Sequence, residues 1–364
     1  PASAEAGDQI VLMDYLRTWG TNKIIIDSNG LNYQGEDDTY IVEYDTNGET
    51  VNIVYADSTQ GWIPLDDDVV ADVPLPPPTQ KGIFGYGNAG SYTAVTNLVN
   101  SSGVVATDVS GVGTAREGLS AAAYGGDKAI FGYGWTGSVS SLSNLVNNSG
   151  VVASDTTGVG TARRQLGAAE YGGDKAIFGY GVNGSKVSLT NLVTNAGVVG
   201  TDVTGVGTAR SNVAGTAYGS DKAIFAYGNG SVVSMSNLVS NVGVVSADVT
   251  GVGTAREGLA AAGYGVGLAI FAYGIVATNP GVSMSNLCNS SGVISTDVTG
   301  VGTARYYPAA TRYGGDKAIF AYGYNGSNVS MSNLVNTSGV VATDVTGVGT
   351  ARRGLAAAGY SSSA

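Results

Sequence analysis

The stretch Gly172-Gly-Asp-Lys-Ala-Ile-Phe-Gly-Tyr-Gly181 decides the fold, because most of the chain consists of copies of it. Its central pentad, Ile-Phe-Gly/Ala-Tyr-Gly, occurs six times at spacings of 47, 47, 47, 46 and 49 residues. The Phe of the pentad stands at positions 84, 131, 178, 225, 271 and 320. A nearly constant period of this length indicates a repeat architecture in which each copy is one supersecondary unit.

Each copy reads as short strands separated by tight turns. In one copy, residues 167–171 lead through the Gly-Gly-Asp turn into 176–180, and residues 187–193 and Val198-Val199 follow. Apolar runs this short, bounded by Gly, Asn, Asp or Ser, are typical of strands and not of helices. A unit of about 47 residues with four short strands fits one blade of a β-propeller.

The two ends of the array predict how it closes. A strand of small residues ending in Tyr occurs six times, but the first pentad, at Ile83–Gly87, has no such strand before it. The last such strand, Leu355–Tyr360, has no pentad after it. We therefore expect the C-terminal strand to join the first blade, which closes a six-bladed ring and removes two exposed sheet edges. An open solenoid would need atypical capping repeats.

Charge divides the chain into two regions. Residues 1–80 contain 15 Asp and Glu but only 2 Lys and Arg, whereas residues 81–364 contain 13 acidic and 15 basic residues. Four prolines between Pro74 and Pro78 favour a stiff, extended spacer. The predicted organisation is a small acidic β domain at 1–70, a Pro-rich linker at 71–80 and an all-β, six-bladed propeller at 81–364.

The composition excludes several kinds of site. The chain has no His and one Cys, so a His-based triad, a His metal ligand, an internal disulfide and a thiolate metal cluster are all impossible. A net charge of −11 disfavours binding to a phosphate backbone. No run approaches the ~18 apolar residues that a membrane-spanning helix needs. The sequence therefore predicts no catalytic residues, no metal, no cofactor, no nucleic-acid partner and no membrane insertion.

An Asp lies eight residues before the Arg of every Gly-Thr-Ala-Arg motif. Because the spacing is the same in all copies, we expect these residues to make hydrogen bonds or salt bridges within or between blades. If these residues formed a functional site, the copy that carries the function would be expected to differ from the others, and none does. The pairs are Asp108 and Arg116, Asp155 and Arg163, Asp202 and Arg210, Asp248 and Arg256, Asp297 and Arg305, and Asp344 and Arg352.

The copies differ mainly in two loops, after the pentad and after Thr-Ala-Arg. In a four-stranded meander both loops lie at the same end, so we expect the variable residues to share one face of the disc. Aromatic and Asn side chains on such a face suit stacking on sugars and hydrogen bonding to hydroxyls. Drift of loops that contact nothing is the alternative. The candidate ligand-binding residues are Tyr92, Trp135, Asn183, Asn229, Asn279, Tyr306, Tyr307, Tyr324 and Asn325.

The order of motifs in residues 81–364 resembles the kelch repeat, whose units carry a diglycine strand, spaced aromatic residues and a basic residue near the unit boundary. Here Gly-Tyr-Gly or Ala-Tyr-Gly replaces the diglycine, and Val takes the place of the usual Trp of the fourth strand. The repeats are therefore kelch-like. Near-identical blades rich in Gly, Ser and Thr resemble those of bacteriophage tail-fibre and other virion surface proteins.

The N-terminal region supports the same resemblance. The block from Gly7-Asp8 through Asn29-Gly30 to Gly61-Trp62 is similar to a small β domain that recurs in phage fibre and appendage proteins. Its predicted strands are 7–14, 24–30, 40–44 and 51–55. In that family the segment Pro1-Ala2-Ser3 falls inside the domain, after an earlier strand, so we expect an upstream segment.

The resemblance implies a non-enzymatic phage structural protein on the virion surface, a tail fibre or other appendage whose propeller recognises a host receptor or glycan. Residues 1–80 would then contact other virion proteins or drive homo-oligomerisation, for which phage fibres suggest a trimer. A purely structural capsid or tail decoration protein is one alternative. A glycan-active enzyme is the other, which is disfavoured because no blade offers an unmatched pair of carboxylates.

Overall fold

A computed structural model describes residues 3–37, 39, 42–66, 79–277 and 281–363. The chain divides into two compact units, Pro1–Pro74 and Leu75–Ala364. The described residues form strands, turns and loops only, with no helix among them. Of the predicted Pro-rich linker at 71–80, residues 71–78 lie outside the described residues.

The described residues of the first unit form five strands in two antiparallel sheets. The strands are β1 (Gln9–Met13), β2 (Ile24–Ile26), β3 (Val42–Tyr44), β4 (Thr50–Asp57) and β5 (Gly61–Asp66). One sheet has the order β1-β4-β5 and the other pairs β2 with β3. Side chains alternate along β4, so that Val51, Ile53 and Tyr55 are buried, and the Tyr55 ring packs edge-on against Trp62 at 5.5 Å.

Twenty strands lie in the described part of the second unit. They are β6 (Lys81–Gly85), β7 (Thr96–Val99), β8 (Ser120–Tyr124), β9 (Lys128–Trp135), β10 (Val139–Val146), β11 (Gly167–Tyr171), β12 (Lys175–Gly179), β13 (Val182–Asn183), β14 (Ser185–Lys186), β15 (Thr190–Val193), β16 (Ala214–Tyr218), β17 (Lys222–Gly228), β18 (Val233–Val239), β19 (Ala260–Tyr264), β20 (Leu268–Ala272), β21 (Ser285–Cys288), β22 (Ala309–Tyr313), β23 (Lys317–Tyr324), β24 (Asn328–Val335) and β25 (Ala356–Tyr360).

These strands form six three-stranded antiparallel sheets. Five have their strands in chain order: β8-β9-β10, β11-β12-β15, β16-β17-β18, β19-β20-β21 and β22-β23-β24. In each sheet the first strand holds the small residues, the second holds the pentad, and the third holds Asn-Leu-Val or Asn-Leu-Cys. The short strands β13 and β14 pair with each other in the loop that follows one pentad.

The expectation of four strands per copy is wrong in detail. The fourth segment meets the third strand only at isolated bridges, for example Val193 with Val199 and Thr190 with Val203. Between these bridges the Asn191 side chain donates hydrogen bonds to the Gly200 carbonyl (3.0 Å) and to a carboxylate. Side-chain hydrogen bonds thus replace part of the backbone ladder, which the apolar pattern of the sequence does not reveal.

The sixth sheet joins the two ends of the repeat array. Its order is β25-β6-β7, and the register pairs Ala356 with Gly85 and Tyr360 with Lys81. The unequal ends of the array predicted this pairing, which is confirmed. The first strands of neighbouring sheets also contact one another in the order β8, β11, β16, β19, β22 and β25, and β25 contacts β8.

Aromatic rings connect each sheet to the next. The pentad Tyr of one sheet packs against the pentad Phe of the following sheet, as in Tyr86 with Phe131 at 5.1 Å. The last sheet contacts the first in the same way, since Tyr322 packs against Phe84 at 5.4 Å. All six pentad tyrosines are buried and hold φ angles between 61° and 66°. Non-glycine residues rarely adopt this left-handed conformation, so the surrounding contacts must impose it.

A buried arginine provides the main polar contact between neighbouring sheets. The Arg116 guanidinium lies 4.3 Å above the Tyr86 ring of one sheet. Its Nε donates to the Tyr133 carbonyl of the next sheet at 2.8 Å, and Nη2 donates to Asn144 Oδ1 at 2.6 Å. Nη1 donates to the Thr114 carbonyl at 2.9 Å. We call this arrangement the arginine clamp.

The arginine clamp recurs around the array. Among the described residues, an arginine covers each pentad Tyr ring at 4.0–4.4 Å. Arg352 completes the series, because it covers the Tyr322 ring of the last sheet and donates to the Tyr86 carbonyl and to Asn97 Oδ1 of the first sheet, both at 2.8 Å. The bonds that Arg116, Arg210 and Arg256 make between interior copies therefore also join the chain ends, whereas Arg163 Nη2 and Arg305 Nε have no hydrogen-bond partner within the described ranges.

Each aspartate of the predicted pairs approaches the arginine of the preceding copy. Asp155 accepts hydrogen bonds from the Thr114 backbone (3.0 Å) and hydroxyl (2.6 Å) and from Asn144 (2.9 Å), and it lies 3.8 Å from Arg116. Burial alone would raise the pKa of the Asp155 carboxyl, but the hydrogen bonds from Thr114 and Asn144 and the charge of Arg116 hold it below its ordinary value.

Replacement of one clamp arginine is expected to destabilise the repeat unit strongly. Arg210→Ala leaves the Tyr227 carbonyl and the buried Asn237 side chain without their donor and uncovers the Tyr180 ring. We expect a loss of roughly 3–5 kcal/mol in the free energy of unfolding, measured by urea denaturation. Lys222→Leu is the matched control, because Leu268 occupies the equivalent position of another copy. A loss for Arg210→Ala no larger than that of the control would contradict the clamp.

Removal of residues 355–364 is expected to abolish cooperative folding of the second unit. The truncated chain lacks β25, so β6 becomes an unpaired edge, and exposed edges promote association with other chains. We expect a broad thermal transition by circular dichroism and high-molecular-weight species on size-exclusion chromatography. Removal of residues 362–364 alone keeps β25 and should leave both measurements unchanged. A sharp, unshifted transition for the longer truncation would show that the pairing of the chain ends is dispensable.

Candidate functional site

The two variable loops of each copy meet at one end of the sheets. The residue after each Thr-Ala-Arg forms an antiparallel bridge with the second residue after a pentad Tyr. These bridges are Asn88 with Arg353, Glu117 with Trp135, Arg164 with Val182, Ser211 with Asn229, Glu257 with Ile275, and Tyr306 with Tyr324. The segments that distinguish one copy from another therefore lie beside one another in the folded chain.

A cavity of about 370 Å³ lies among these segments, and we call it the loop-face cavity. All six copies contribute to its lining, through residues 117–119, 164–166, 212–213, 258–259, 306–308 and 353–355. Of the candidate ligand-binding residues, Tyr306 and Tyr307 line it directly. Glu117, Arg164, Gln165, Asn212 and Arg353 supply most of its polar groups.

A series of backbone hydrogen bonds connects the copies around the loop-face cavity. Gln165, Asn212 and Tyr307 occupy equivalent positions, which hold glycine in the other three copies. At this position the backbone N–H of one copy donates to the backbone carbonyl at the same position of the preceding copy. The bonds run from Gly118 to Gly354 (2.8 Å), from Gln165 to Gly118 (2.7 Å), from Asn212 to Gln165 (2.7 Å), from Tyr307 to Gly258 (2.6 Å) and from Gly354 to Tyr307 (3.2 Å).

Three of these positions hold strained non-glycine residues. Gln165, Asn212 and Tyr307 have φ angles of 56°, 53° and 54°, where the other three copies have glycine. A non-glycine residue in this region costs on the order of 1–3 kcal/mol and persists where the surroundings impose it, often at functional sites. Glycine satisfies the backbone here without strain, so the side chains at these positions are not required by the fold.

Aromatic residues form one side of the site. The Tyr306 ring packs against Tyr307 at 5.2 Å and against Tyr324 at 5.4 Å. The Arg353 guanidinium lies 4.5 Å from the Tyr324 ring centre. Burial raises the pKa of the Tyr307 hydroxyl, with a smaller contribution from the charge of Glu257. This cluster presents flat aromatic surface and a cation beside the same cavity.

The remaining candidates take different roles. Trp135 stacks under the Arg164 guanidinium at 4.2 Å, next to the cavity but not in its lining. The Asn229 amide donates to Glu257 at 2.8 Å, and its oxygen accepts from Lys186 at 2.7 Å. Asn229 therefore holds charged neighbours in place and has both ends of its amide engaged.

The other candidates lie on outer loops. Tyr92 bridges to Asn88, and Asn183 in β13 and Asn325 in a turn are exposed. Asn279 lies outside the described residues. The structure thus brings Tyr306, Tyr307 and Tyr324 together and does not bring the full predicted set into one site.

A second cavity, of about 530 Å³, is lined by the first strands of all six sheets, and we call it the central cavity. Its wall consists mostly of Ala and Gly, because neighbouring first strands lie close together: a Cβ on Gly215 would be 2.5 Å from the Ala168 carbonyl oxygen. Glu170 and Arg312 also line it. These two residues occupy equivalent positions, immediately before the strand-ending Tyr.

Sequence analysis missed this charged pair. The equivalent positions in the other copies hold Ala123, Ala217, Gly263 and Gly359, so a position-by-position comparison of the repeats would have isolated Glu170 and Arg312. Burial raises the pKa of the Glu170 carboxyl to about 7, although the charge of Arg312 acts to lower it. The pair therefore departs from the Ala and Gly of the other copies at this position, and Asp316, in a hairpin turn, also lines the cavity.

Three other kinds of feature would point to a function in the described part of the chain: a metal-binding cluster, a membrane-spanning helix and a reactive cysteine. Residues 3–37, 39, 42–66, 79–277 and 281–363 contain no group of three or more Cys, Asp or Glu placed to hold a metal ion. In the same ranges no helix is long and apolar enough to cross a membrane. Cys288 is fully buried, and burial raises the pKa of its thiol to about 12, so it is not an activated nucleophile.

Comparison of the chain with the models of known protein families and with curated proteins finds no match.

Glu170→Gln is expected to stabilise the chain increasingly as pH rises. The folded-state pKa of Glu170 lies near 7, above the ordinary glutamate value that the unfolded chain keeps. The wild-type chain therefore loses stability between about pH 4.5 and pH 7, as the unfolded state ionises first. Gln cannot ionise, so the advantage of the variant should be larger at pH 8 than at pH 5 in urea denaturation. An equal difference at both pH values would contradict the raised pKa.

Proposed function

We propose that residues 81–364 form a closed, six-bladed, kelch-like β-propeller and that the protein is a non-enzymatic bacteriophage virion component. In this proposal the protein is a fibre or appendage on the virion surface, and its loop face recognises a host receptor, with a glycan as the favoured ligand.

Three observations support the propeller. The C-terminal strand β25 pairs with β6, and first strands contact one another in a cyclic order. The arginine clamp also recurs between the last sheet and the first, through Arg352. Cyclic contacts among repeated antiparallel sheets are the arrangement of a propeller, in which neighbouring blades protect each other's faces.

The observation that carries the recognition proposal is the distribution of variation among the copies. The repeats are nearly identical where they contact each other and differ around the loop-face cavity. There Gln165, Asn212 and Tyr307 keep side chains at positions where glycine would relieve backbone strain. Retention of strained side chains around one cavity supports binding over drift of loops that contact nothing.

The chemistry of the cavity supports a carbohydrate ligand. Tyr306 and Tyr307 offer aromatic faces for sugar rings, while Gln165 offers an amide group for hydroxyls. The stacked guanidinium groups of Arg164 and Arg353 add donors at the edge. A pocket lined by aromatic surface with a few convergent polar groups is the usual form of a small-ligand site.

The carboxylates near the site do not favour glycan hydrolysis. Both oxygens of Glu257 accept hydrogen bonds from amides, from Asn212 at 2.6 Å and from Asn229 at 2.8 Å. Hydrolysis needs two carboxyl groups that converge on one glycosidic bond. Both oxygens of Glu257 are already engaged by side chains of this chain, so the carboxylate is not free to meet such a bond.

The proposal gives residues 1–80 the role of attachment to other virion proteins or of oligomerisation, with a trimer as the expected state. The acidic charge of this region, net −13, distinguishes it from the remainder of the chain, which has a net charge of +2. A difference of this size suits separate partners for the two regions.

A glycan array and a host-cell binding assay with the full chain would test the recognition proposal. We expect Tyr306→Ala and Trp135→Ala each to weaken binding roughly tenfold or more, because truncation of an aromatic anchor costs more than ~1 kcal/mol. Tyr15→Ala is the matched control, since Tyr15 is 86% exposed and lies in the first unit. Thermal melts of all variants would show that the folds are intact.

Absence of binding to any glycan or cell, or equal binding by the wild-type chain and both loop-face variants, would overturn the recognition proposal. A purely structural role in the virion would then be the better account. In that case, detection of the chain in assembled particles would still test the proposal that it is a virion component.

A further inference from the structure

No described residue lines both the central cavity and the loop-face cavity, and residues of the hairpin turns form part of the lining of the central cavity. Gly173, Ser220, Val266 and Gly315, which belong to or adjoin these turns, form part of its lining, and Val266 is 87% exposed. Solvent therefore reaches this end of the molecule beside the cavity. The loop-face residues discussed above do not line it.

The fold does not require charges in the wall of this cavity. Four of the six equivalent positions hold Ala or Gly, and the sheets that carry Glu170 and Arg312 have the same strand register as the others. Glu170 pairs with Ala176 and Arg312 pairs with Ala318, which matches the Ala123–Ala129 pair of another copy. Placing charges here instead costs desolvation energy.

The two charges are not neutralised by direct contacts. Within the described ranges, the Glu170 and Arg312 side chains make no hydrogen bond, and no ion pair within 4.0 Å joins them to each other or to another group. Their charges still influence each other, since each shifts the pKa of the other. The cavity thus contains a cation and an anion that make no direct contact, and the Asp316 carboxylate of a hairpin turn, which also acts on the pKa of Arg312, is a second anion in its lining.

Gly263 leaves the space that the Arg312 guanidinium occupies. A Cβ built on Gly263 would lie 2.7 Å from Arg312 Nη2 and 3.2 Å from Cζ, and its nearest neighbours are all atoms of that guanidinium. The φ angle of Gly263 is not in the left-handed region, so the backbone itself accepts other residues. The absence of a side chain at 263 therefore positions Arg312 in the cavity.

We propose that the central cavity binds a small zwitterion, with its carboxylate on Arg312 and its ammonium group on Glu170, in the class of amino acids and short peptides. A guanidinium presents donors that match a carboxylate, and an ionised carboxyl accepts from an ammonium group. The Ala and Gly wall contacts the apolar part of the ligand. The volume of about 530 Å³ accommodates a molecule longer than a single small amino acid.

Isothermal titration calorimetry on the full chain would test this site with glycine, β-alanine, 4-aminobutyrate and 6-aminohexanoate. We run it at pH 8, where the Glu170 carboxyl is ionised. This series varies the distance between the two charged groups and keeps their chemistry constant. We expect the affinity to peak at one chain length, and butyrate and butylamine, which carry one charge each, to bind at least tenfold more weakly than the best member.

Substitutions test the proposed contacts of Arg312 and Glu170 one at a time. Arg312→Ala and Glu170→Gln are each expected to weaken binding of the best ligand at least tenfold. Gly263→Ala retains both charges but displaces the guanidinium, so it should weaken binding as well. Tyr306→Ala, in the loop-face cavity, and Lys222→Leu are controls that should bind as the wild type does. If Arg312→Ala does not fold by thermal melt, Gly263→Ala and Arg312→Lys take its place.

No binding by any member of the series would overturn the proposal, and so would equal binding by the wild type, Arg312→Ala and Glu170→Gln. Binding of butyrate as tight as that of the best amino acid would also overturn it, because Glu170 would then contribute nothing. The result does not depend on glycan recognition, which the loop-face variants test separately.

Discussion

The buried arginine of each copy is the constraint on which the rest of the second unit depends. A guanidinium cannot lose its charge in a protein, so burying Arg116 requires partners for its donors and a surface for its face. Those partners come from two sheets: the Tyr86 ring on one side, and the Tyr133 carbonyl and Asn144 on the other. The left-handed φ of the pentad tyrosines accompanies this geometry, and their strain is held by the contacts around them. The clamp therefore explains why Tyr, Asn and Arg recur together in every copy.

The same constraint determines where the chain is free to vary. Residues up to the clamp arginine contact a neighbouring sheet, whereas the residue directly after it bridges to the segment beyond the pentad, as Tyr306 does with Tyr324. The polar side chains just past these points, such as Gln165 and Arg353, line the loop-face cavity, whereas Leu119 and Leu166 a little further along return to the buried core. Variation among the repeats is thus directed to one end of the structure by packing, and a binding site can change there without loss of the inter-sheet contacts.

The sequence was sufficient to predict the repeated strands and the pairing of the array ends. It was insufficient to predict contacts between side chains that lie far apart in the chain. The count of strands at the array ends predicted that β25 pairs with β6, because each unpaired element had one available partner. Strand β5 was not predicted, since Pro64 interrupts its pattern, yet a proline is tolerated there because β5 is an edge strand. The partner of each aspartate could not be read from a spacing of eight residues: Asp155 approaches Arg116 of the preceding copy and not Arg163 of its own. Side-chain clusters such as Tyr306 with Tyr324 arise from cross-strand pairing that the loops' lengths do not reveal.

Near-identical repeats give an internal comparison that a single-copy domain lacks. Where most copies hold Ala or Gly at a position, the fold demonstrably forms without a larger or charged side chain there, so an exceptional residue needs a reason other than folding. Gln165, Asn212 and Tyr307 bring backbone strain, and Glu170 and Arg312 bring desolvation of charge. Asn212 donates a hydrogen bond to Glu257 at 2.6 Å and Tyr307 packs against Tyr306, whereas Glu170 and Arg312 make no hydrogen bond or ion pair among the described residues. The departures occur in two separate cavities and involve different chemistry, aromatic and amide in one and ionic in the other. They therefore support the two proposed ligand sites over drift of one relaxed surface.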